Sequence, residues 1–298
     1  MKEWVVTELN ISTAAGVFDA IVEGPPEGRP VLLLHGFPQT GLAWLRQIAA
    51  LAAHGYRVLA PNQRGYSPAS APSGPRATTS APWSTMSSRS RTNWAGRHST
   101  WSAMTGEALW RGGPPMRIPA AYALSRLSRP RTPALSPTPL RTDENQRNRS
   151  RYMIDWRETP ATEDDMLANG AEKLRAIYAG RVPQASVDAY IRHLSQPGAL
   201  TAALNWYRVG RPERAIGVIE VPTLYVWSTQ DTAFGPAAAQ ETGQWVQGPY
   251  RFEDLQGVSH WIPEEAPETL NHLLLEHLQA HGEYGTTAIA PPTDSRIR

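Results

Sequence analysis

The chain has 298 residues, 41% of them apolar, which is long enough for one large α/β domain with an inserted lid and gives no sign of a second independent domain. It contains no cysteine, which excludes disulfides, thiol nucleophiles and cysteine-based zinc sites and indicates either a reducing compartment or indifference to redox conditions. The first residues form no signal-peptide pattern, and no apolar run approaches the roughly 18 residues that a membrane span requires. We therefore predict a cytoplasmic protein.

The formal net charge of +2 hides an uneven distribution along the chain. Residues 71–140 contain nine arginines, no lysine and one acid, Glu107, so they carry +8 and leave −6 for the rest. The pI near 9.0 is therefore a property of one segment. These arginines are scattered among prolines and serines without a helical stripe, so they do not predict a nucleic-acid-binding surface.

Alternating strands and helices are predicted for the first part of the chain. An apolar run at residues 31–34 is bounded by Pro30 and Gly36, as in a strand buried on both faces of a parallel sheet. Thr40 can cap the helix that follows, and Gly55 can end it. Further strands are predicted at Trp4–Leu9, Gly16–Val22 and Tyr56–Ala60. A strand, a helix and a strand of these lengths form a βαβ unit, which predicts an α/β fold.

Residues 71–140 differ in character from this beginning. They are rich in serine, proline and arginine and contain no valine or phenylalanine, so they predict no strand and are expected to be poorly ordered or non-native. Regular patterns return afterwards, and four helical patterns predict an inserted, lid-like block at about 140–157, 162–179, 184–194 and 198–209. The C-terminal part predicts two strands and two helices, namely Pro222–Trp227, Tyr250–Leu255, Pro236–Val246 and Pro263–His281. Three histidines of the last helix are expected at the surface: His272, His277 and His281.

Three separated groups of residues have the chemistry of a hydrolytic site. The motif His35-Gly36-Phe37-Pro38 directly follows a predicted buried strand, and its glycine allows the backbone to approach a ligand closely. Asp231 lies just beyond another predicted strand, and His260 lies in a predicted loop between the last strand and the last helix. Catalysis in such folds occurs at the carboxyl ends of strands, so Asp231 could orient His260 as a general base. Asp231 could instead cap the helix near residue 236.

Two tyrosines in the predicted lid form the fourth group. They occur in Arg151-Tyr152-Met153-Ile154-Asp155-Trp156 and in Leu204-Asn205-Trp206-Tyr207-Arg208. A phenol can donate a hydrogen bond or a proton to the oxygen of a strained ether as its ring opens. A single tyrosine of this kind is more often a packing residue whose hydroxyl is hydrogen-bonded, so the interpretation depends on the pair.

In their order along the chain, the four groups resemble the epoxide-hydrolase branch of the α/β-hydrolase superfamily. The resemblance covers about three quarters of the chain. It implies a mostly parallel sheet flanked by helices, with a helical lid. It also implies that Asp231 orients His260, that the Phe37 backbone N–H contributes to an oxyanion hole, and that Tyr152 and Tyr207 donate to the epoxide oxygen. Neither a metal nor an organic cofactor is required. The expected partner is a small apolar or amphipathic substrate, with no nucleic acid and no membrane.

The nucleophile of that family is missing from the sequence. It normally lies on a strained turn, typically Gly-His-Asp-Trp-Gly-Gly, which we would expect near residues 95–115, and no Gly-x-Ser-x-Gly elbow occurs instead. The predicted organisation is therefore a hydrolase core at 1–70 and 216–283, a helical lid at 141–215, an aberrant segment at 71–140 and a disordered tail at 284–298. The chain as written is expected to be inactive. The alternatives are an esterase or haloalkane dehalogenase on the same fold, or a non-catalytic binding protein.

A reading-frame shift of one base, from about residue 70 to between residues 120 and 140, would explain the aberrant segment. Met104 and Thr105 are encoded by ATG and ACN, and reading them from the third base gives GAC, an aspartate codon, in the expected place. The codon of Trp94, read in the same way, begins a glycine codon. We expect sequencing of the gene to reveal codons for Gly-His before that GAC and Trp-Gly-Gly after it. Codons incompatible with those residues would contradict the hypothesis.

Overall fold

A computed structural model of the protein describes residues 7–13, 16–67, 102–104, 120–124, 143–159, 161–208 and 219–282. Most of these residues belong to the strands of a sheet or to helices that pack on it. Three predictions lie wholly or mainly outside the described residues: the start of the strand Trp4–Leu9, most of the aberrant segment 71–140, and the tail 284–298.

Eight strands are found in the described part of the chain. They are β1 (Thr7–Thr13), β2 (Gly16–Glu23), β3 (Arg29–Leu32), β4 (Tyr56–Pro61), β5 (Ser102–Met104), β6 (Ala120–Leu124), β7 (Thr223–Gln230) and β8 (Tyr250–Ser259). Hydrogen-bonded neighbours follow the orders β1-β2-β4-β3 and β5-β6-β7-β8, and β3 lies beside β5. Strand β2 runs antiparallel to β1 and β4, whereas β3 runs parallel to β4. Strands β5 to β8 are all parallel, so their carboxyl ends lie at one edge.

The helices of the described chain fall in four groups along the sequence. Helix α1 (Leu45–Ala53) follows β3 after a 3-10 turn at Gly41–Trp44. Between β6 and β7 lie α2 (Glu144–Arg149), α3 (Arg151–Glu158), α4 (Thr162–Ala176), α5 (Gln184–Leu194) and α6 (Ala199–Arg208). Helix α7 (Pro236–Gln240) and a 3-10 turn at Glu241–Trp245 connect β7 to β8. Helices α8 (Ile262–Glu265) and α9 (Pro267–Ala280) end the described chain.

The turn after β3 is held in place by polar contacts with the turn after β4. The Thr40 hydroxyl accepts a hydrogen bond from the Leu42 N–H at 3.4 Å, so Thr40 caps the 3-10 turn that leads into α1, whereas α1 itself begins after Trp44. The Gly41 N–H donates to Asn62 Oδ1 at 2.8 Å. A Cβ atom on Gly41 would lie 2.7 Å from the carbonyl oxygen of Ala60, so only glycine fits this close approach. These contacts fix where the chain leaves β3.

Two apolar clusters hold the molecule together on either side of this turn. The first joins the sheet to α1 and α9 and includes Val31, Ile48, Val226 and Leu274. The second joins the helices between β6 and β7 to the turn after β3 and includes Phe37, Tyr178, Tyr207 and Trp261. The Tyr178 hydroxyl also donates to the Pro38 carbonyl at 2.8 Å. The helical block is therefore packed directly over the carboxyl edge of the sheet.

The structure corrects the strand prediction for residues 71–140. No strand was predicted there, but β5 and β6 both form, and they pair with each other and with β7. Both strands are rich in alanine, which has a weak preference for β structure. Backbone pairing with the apolar strand β7 decides their conformation, because β-propensity depends strongly on the neighbouring strands.

Three other boundaries differ from those predicted. Strand β8 continues to Ser259, so Gly257 and Val258 belong to the strand and not to a loop. The helix predicted at Pro236–Val246 changes to a 3-10 turn after Gln240. The last helix is broken at Ala266, because Pro267 cannot continue the hydrogen bonding of the preceding turn.

The prediction that His277 lies at the surface was wrong. Its side chain is buried, because it follows Leu270, Leu273 and Leu274 at helical spacing and so lies on the apolar face of α9. Burial, together with the nearby His281, lowers its pKa to about 4, so His277 is neutral at pH 7. None of the helices among the described residues is long and apolar enough to cross a membrane.

One ion pair links the beginning of α4 to the end of α6. The Arg208 guanidinium donates to both oxygens of Glu163, at 2.5 and 2.7 Å. Hydrogen bonding from Arg208 lowers the pKa of Glu163 to about 2 despite the opposing effect of burial. A lowered folded-state pKa stabilises the fold above the ordinary value of 4.5, and that stabilisation is lost as the pH falls from there towards 2.

We expect Glu163→Gln to lower the free energy of unfolding by about 1 kcal/mol at pH 7, because a bidentate arginine pair is lost. The difference from the unmutated chain should shrink below pH 4.5, as the paired carboxylate is protonated. Urea denaturation across this pH range measures both effects. Asp165→Asn is the matched control, since Asp165 pairs with Lys173 through side chains that are 56% and 65% exposed. Equal losses in the two variants would contradict the prediction.

Candidate active site

Asp231 is held rigidly at the carboxyl end of β7. It directly follows Gln230, the last residue of the strand, and is only 1% exposed. Its Oδ1 accepts hydrogen bonds from the backbone N–H groups of Ala233 at 2.7 Å and Phe234 at 2.9 Å. Asp231 thus closes the turn at residues 231–234 but does not cap α7, whose N-cap is Gly235, so the helix-cap interpretation was wrong. The two bonds from the turn fix the direction of the carboxylate.

The same carboxylate also contacts His260. Strand β8 is the parallel neighbour of β7 and ends at Ser259, so the residues that follow the two strands emerge side by side. His260 Nδ1 lies 3.0 Å from both Asp231 oxygens. A carboxylate can only accept, so Nδ1 carries the proton and Nε2 is left as the acceptor of the ring. This is the arrangement that a histidine base requires.

Further contacts of Ser259, the last residue of β8, hold His260 in position. The Ser259 carbonyl accepts from the Ser228 hydroxyl at 2.7 Å, and the Ser259 N–H donates to Glu265 Oε2 at 3.0 Å. Glu265 also pairs with Arg181 at 2.9 Å. The residue before the imidazole is therefore fixed both to the neighbouring strand and to helix α8.

His35 proves to be an organising residue of the turn after β3. Its ring is fully buried and accepts a hydrogen bond at Nε2 from the Gln63 N–H, at 3.0 Å. The ring proton therefore lies on Nδ1, which is 3.1 Å from the Gly36 carbonyl. The edge of the His35 ring also packs on Tyr66, at a centroid separation of 4.5 Å. These contacts position Gly36 and Phe37, the residues that reach the site.

An aromatic cluster covers the site from the helical block. Tyr152 and Trp156 lie on α3 and Tyr207 on α6, and the Trp156 ring is 4.6 Å from that of Tyr152 and 5.0 Å from that of Tyr207. The two tyrosine rings are 6.2 Å apart. Phe37 approaches from below, with its ring 4.9 Å from Trp156. The two predicted tyrosines are therefore neighbours above the turn that carries Phe37.

A cavity of about 250 Å³ lies between this cluster and His260. Its lining is mostly aromatic and apolar, and consists of Gly36, Phe37, Tyr152, Trp156, Ile177, Tyr207, Thr232, Ala233, Phe234, His260 and Trp261. Five of the predicted site residues line it directly, namely Gly36, Phe37, Tyr152, Tyr207 and His260, while Asp231 lies behind the imidazole. An enclosure of this kind suits a small, uncharged, amphipathic molecule.

Several lining residues were missed by the sequence analysis. Trp156 could have been found, because it lies four positions after Tyr152 and therefore on the same face of the helix. Phe234 and Trp261 neighbour the predicted Asp231 and His260 along the chain, but nothing in the sequence fixes their direction. Ile177 follows α4 and reaches the cavity only through the packing of the helical block.

Two further features bear on the chemistry of the site. Burial and the negative charge of Asp231 both raise the pKa of Tyr225 well above its ordinary value, so this tyrosine of β7 stays neutral beneath the carboxylate. Within the described ranges, no group of three or more His, Asp or Glu side chains is arranged to hold a metal ion. Strand β5 ends at Met104, beside β3, and residues 105–119 lie outside the described chain.

The sheet order, the Asp–His pair at its carboxyl edge and the covering helices together define an α/β hydrolase. A family model for the α/β hydrolase fold matches residues 29–102. More particularly, the chain is similar over most of its length to proteins named epoxide hydrolases. It is 27% identical to epoxide hydrolase A of Mycobacterium tuberculosis, in an alignment that covers 88% of this chain and 94% of that protein. It is 25% identical to mouse epoxide hydrolase 3, over 86% of this chain and 72% of the relative.

Solved structures share the same architecture. A mutant epoxide hydrolase from Bacillus megaterium in complex with its diol product superposes with a TM-score of 0.75 at 20% identity, covering 91% of this chain and all (100%) of that one. Epoxide hydrolase A from Mycobacterium thermoresistibile gives a TM-score of 0.73 at 21% identity, covering 92% of this chain and 98% of that one. At these identities the likeness establishes the shared fold.

We expect Asp231→Asn to change the tautomer of His260. The amide oxygen can keep the bonds from the Ala233 and Phe234 N–H groups, which turns the amide NH₂ towards His260 Nδ1 and favours the tautomer protonated at Nε2. The ¹⁵N chemical shifts of the imidazole, recorded where the ring is neutral, measure this change. His54 is the internal control, because its Nδ1 is 2.8 Å from the Ala50 carbonyl and should keep its proton. An unchanged His260 tautomer would contradict the arrangement.

Proposed function

We propose that this chain is the scaffold of an epoxide hydrolase that converts a small apolar or amphipathic epoxide to a vicinal diol. The observation that carries the proposal is the convergence of His260, paired with Asp231, and the two lid tyrosines on a single apolar cavity. The two relatives support the choice of reaction, because both are named epoxide hydrolases and the alignments cover most of their length. The arginine-rich segment has no role in this proposal, and neither nucleic acid nor a cofactor is required.

The reaction would use a carboxylate nucleophile in two steps. A carboxylate oxygen attacks one epoxide carbon, the carbon–oxygen bond of the ring breaks, and the departing oxygen takes a proton from Tyr152 or Tyr207, giving an alkyl-enzyme ester. His260 Nε2 then accepts a proton from water as the water attacks the ester carbonyl, and Asp231 stabilises the resulting imidazolium. The Phe37 N–H would donate to the oxyanion until the ester carbon–oxygen bond breaks and the departing diol oxygen takes the proton from the His260 imidazolium. The carboxylic acid left behind then gives up its proton, which returns to the tyrosinate, so the carboxylate and the tyrosine are both restored.

The position of β5 supports the view that the nucleophile belongs directly after Met104. This strand lies between β3, which leads into the turn bearing Phe37, and β6, and it ends at the residue whose codon contributes to the out-of-frame aspartate codon. A strand followed by a sharp turn at the sheet edge is where the fold family places its nucleophile. We therefore propose that the frame shift removed this residue and left the other groups in place, so that the chain as written is inactive.

The wider organisation follows from the same proposal. The helices between β6 and β7 would act as the lid, which would comprise residues 141–215. The core beneath it would comprise residues 1–70 and 216–283. Their aromatic side chains would exclude water from the ring-opening step, which strengthens hydrogen bonds to the departing oxygen. The absence of cysteine supports a reducing, cytoplasmic location.

Two other functions remain as alternatives. An esterase or haloalkane dehalogenase on this scaffold would use the same Asp231–His260 pair, but the paired tyrosines favour an epoxide oxygen as the group to be stabilised. A non-catalytic protein that binds a polyanion through its arginines would need neither the cavity nor the Asp–His pair. The geometry at the sheet edge therefore favours the hydrolase.

We expect restoration of the reading frame through the segment to produce epoxide hydrolysis, and the chain as written to give diol only at the background rate. Diol formation from a panel of aryl and alkyl epoxides, alongside p-nitrophenyl esters and haloalkanes, measures activity and separates the subclasses. In the restored chain, His260→Gln should block the second step, so that a covalent adduct of epoxide mass accumulates and is seen by intact-protein mass spectrometry.

The matched control is the restored chain with asparagine encoded in place of the recovered aspartate, which should give neither adduct nor diol. Tyr152→Phe and Tyr207→Phe in the restored chain should each lower kcat by roughly tenfold to a hundredfold, since one of two donors to the departing oxygen is lost. A restored, folded chain that forms no adduct with any epoxide would overturn the proposed function. Preferential turnover of esters or of haloalkanes would instead assign the restored chain to the esterases or to the haloalkane dehalogenases.

A further inference from the structure

The buried side chain of Gln146 joins helix α2 to the loop that carries Asp231. Its Oε1 accepts a hydrogen bond from the Gly235 N–H at 2.8 Å. Its Nε2 donates to the Ala233 carbonyl and to the Ser150 hydroxyl, both at 2.9 Å. Gln146 has no exposed surface, so these bonds replace the water that its amide loses on folding. A buried amide with three specific partners is a rigid connection between two segments.

The loop at residues 231–235 is held from both sides. From within, the Ala233 and Phe234 N–H groups donate to the Asp231 carboxylate. From outside, Gln146 binds the Ala233 carbonyl and the Gly235 N–H, and Arg149 Nη1 donates to the Asp231 carbonyl. The direction of the carboxylate depends on the shape of this loop, and the loop in turn is braced by one face of α2.

The same helix is continuous with the segment that bears Tyr152. Ser150 is the only residue between the two helices, as the C-cap of α2 and the N-cap of α3. Its hydroxyl accepts a hydrogen bond from Gln146 Nε2. Tyr152 follows two residues later and lines the cavity opposite His260. Gln146 therefore contacts, through a single amide, both the loop that orients the base and the helix start that carries a cavity tyrosine.

We propose that Gln146 is a positioning residue that sets the Asp231–His260 pair and Tyr152 in register with each other. It touches neither the cavity nor a reacting atom, so it acts only through the groups that it holds. The catalytic meaning of this assignment rests on the proposed function, but the positioning itself is a property of the chain as written and can be measured without turnover.

Two variants separate hydrogen bonding from packing. Gln146→Met keeps the volume of the side chain and removes all three hydrogen bonds, whereas Gln146→Ala also leaves a void. In both, we expect loss of the downfield proton resonance of His260 Nδ1–H. We also expect hydrogen exchange at the Ala233 and Phe234 amides to become roughly tenfold faster or more. Gln184→Ala is the matched control, because Gln184 is exposed and donates only to Asp188, on its own helix.

The outcomes distinguish the possible roles. A Gln146→Met variant that keeps the His260 resonance and the slow amide exchange would overturn the proposal, because volume alone would then suffice. Exchange that accelerates equally throughout the sheet, in step with a lower free energy of unfolding, would also overturn it. If the restored chain shows no epoxide chemistry while Gln146→Met still loses the resonance, the proposed function fails and the positioning role stands. If the restored chain is active and Gln146→Met loses the resonance but leaves kcat unchanged, the proposed function stands and the catalytic meaning of the positioning is overturned.

Discussion

The contact between the His260 imidazole and the Asp231 carboxylate depends on two adjacent parallel strands that end at the same edge of the sheet. The two residues are 29 positions apart, yet each is among the first to leave its strand, so the strand pairing brings them within 3.0 Å. Backbone N–H groups hold the carboxylate, and Ser228 and Glu265 hold the residue before the imidazole. The pair is thus built into the sheet and does not rely on a flexible loop.

The other half of the site is attached to this edge by packing. Tyr178 binds the Pro38 carbonyl, and Phe37 packs under Trp156 and Tyr207, so the helical block and the turn after β3 form one apolar unit. Gln146 links the block to the Asp231 loop at a second point. The helical block is therefore attached to the sheet edge at two points, the turn after β3 and the Asp231 loop. These attachments explain how side chains from separate parts of the chain line one cavity beside His260.

The aberrant segment lies between these parts in the sequence. Its strands β5 and β6 pair with each other and with β7 and so continue the sheet. The Asp–His pair, the turn after β3 and the helical block are all encoded outside residues 71–140. A change of reading frame confined to that segment would therefore remove a nucleophile while leaving the rest of the site's chemistry in the sequence.

By itself, the sequence determined the α/β class, the turn at residues 35–38 and the candidate pair Asp231 and His260, because buried strands, glycine turns and strand-end polar residues are local patterns. It also determined helix α5 with its exact bounds, Gln184–Leu194. Only the tertiary structure decided that β5 and β6 are strands, that Phe234 lines the cavity, and that Gln146 binds the loop after Asp231. Those features depend on contacts between residues distant in the chain, and local patterns carry no information about such contacts.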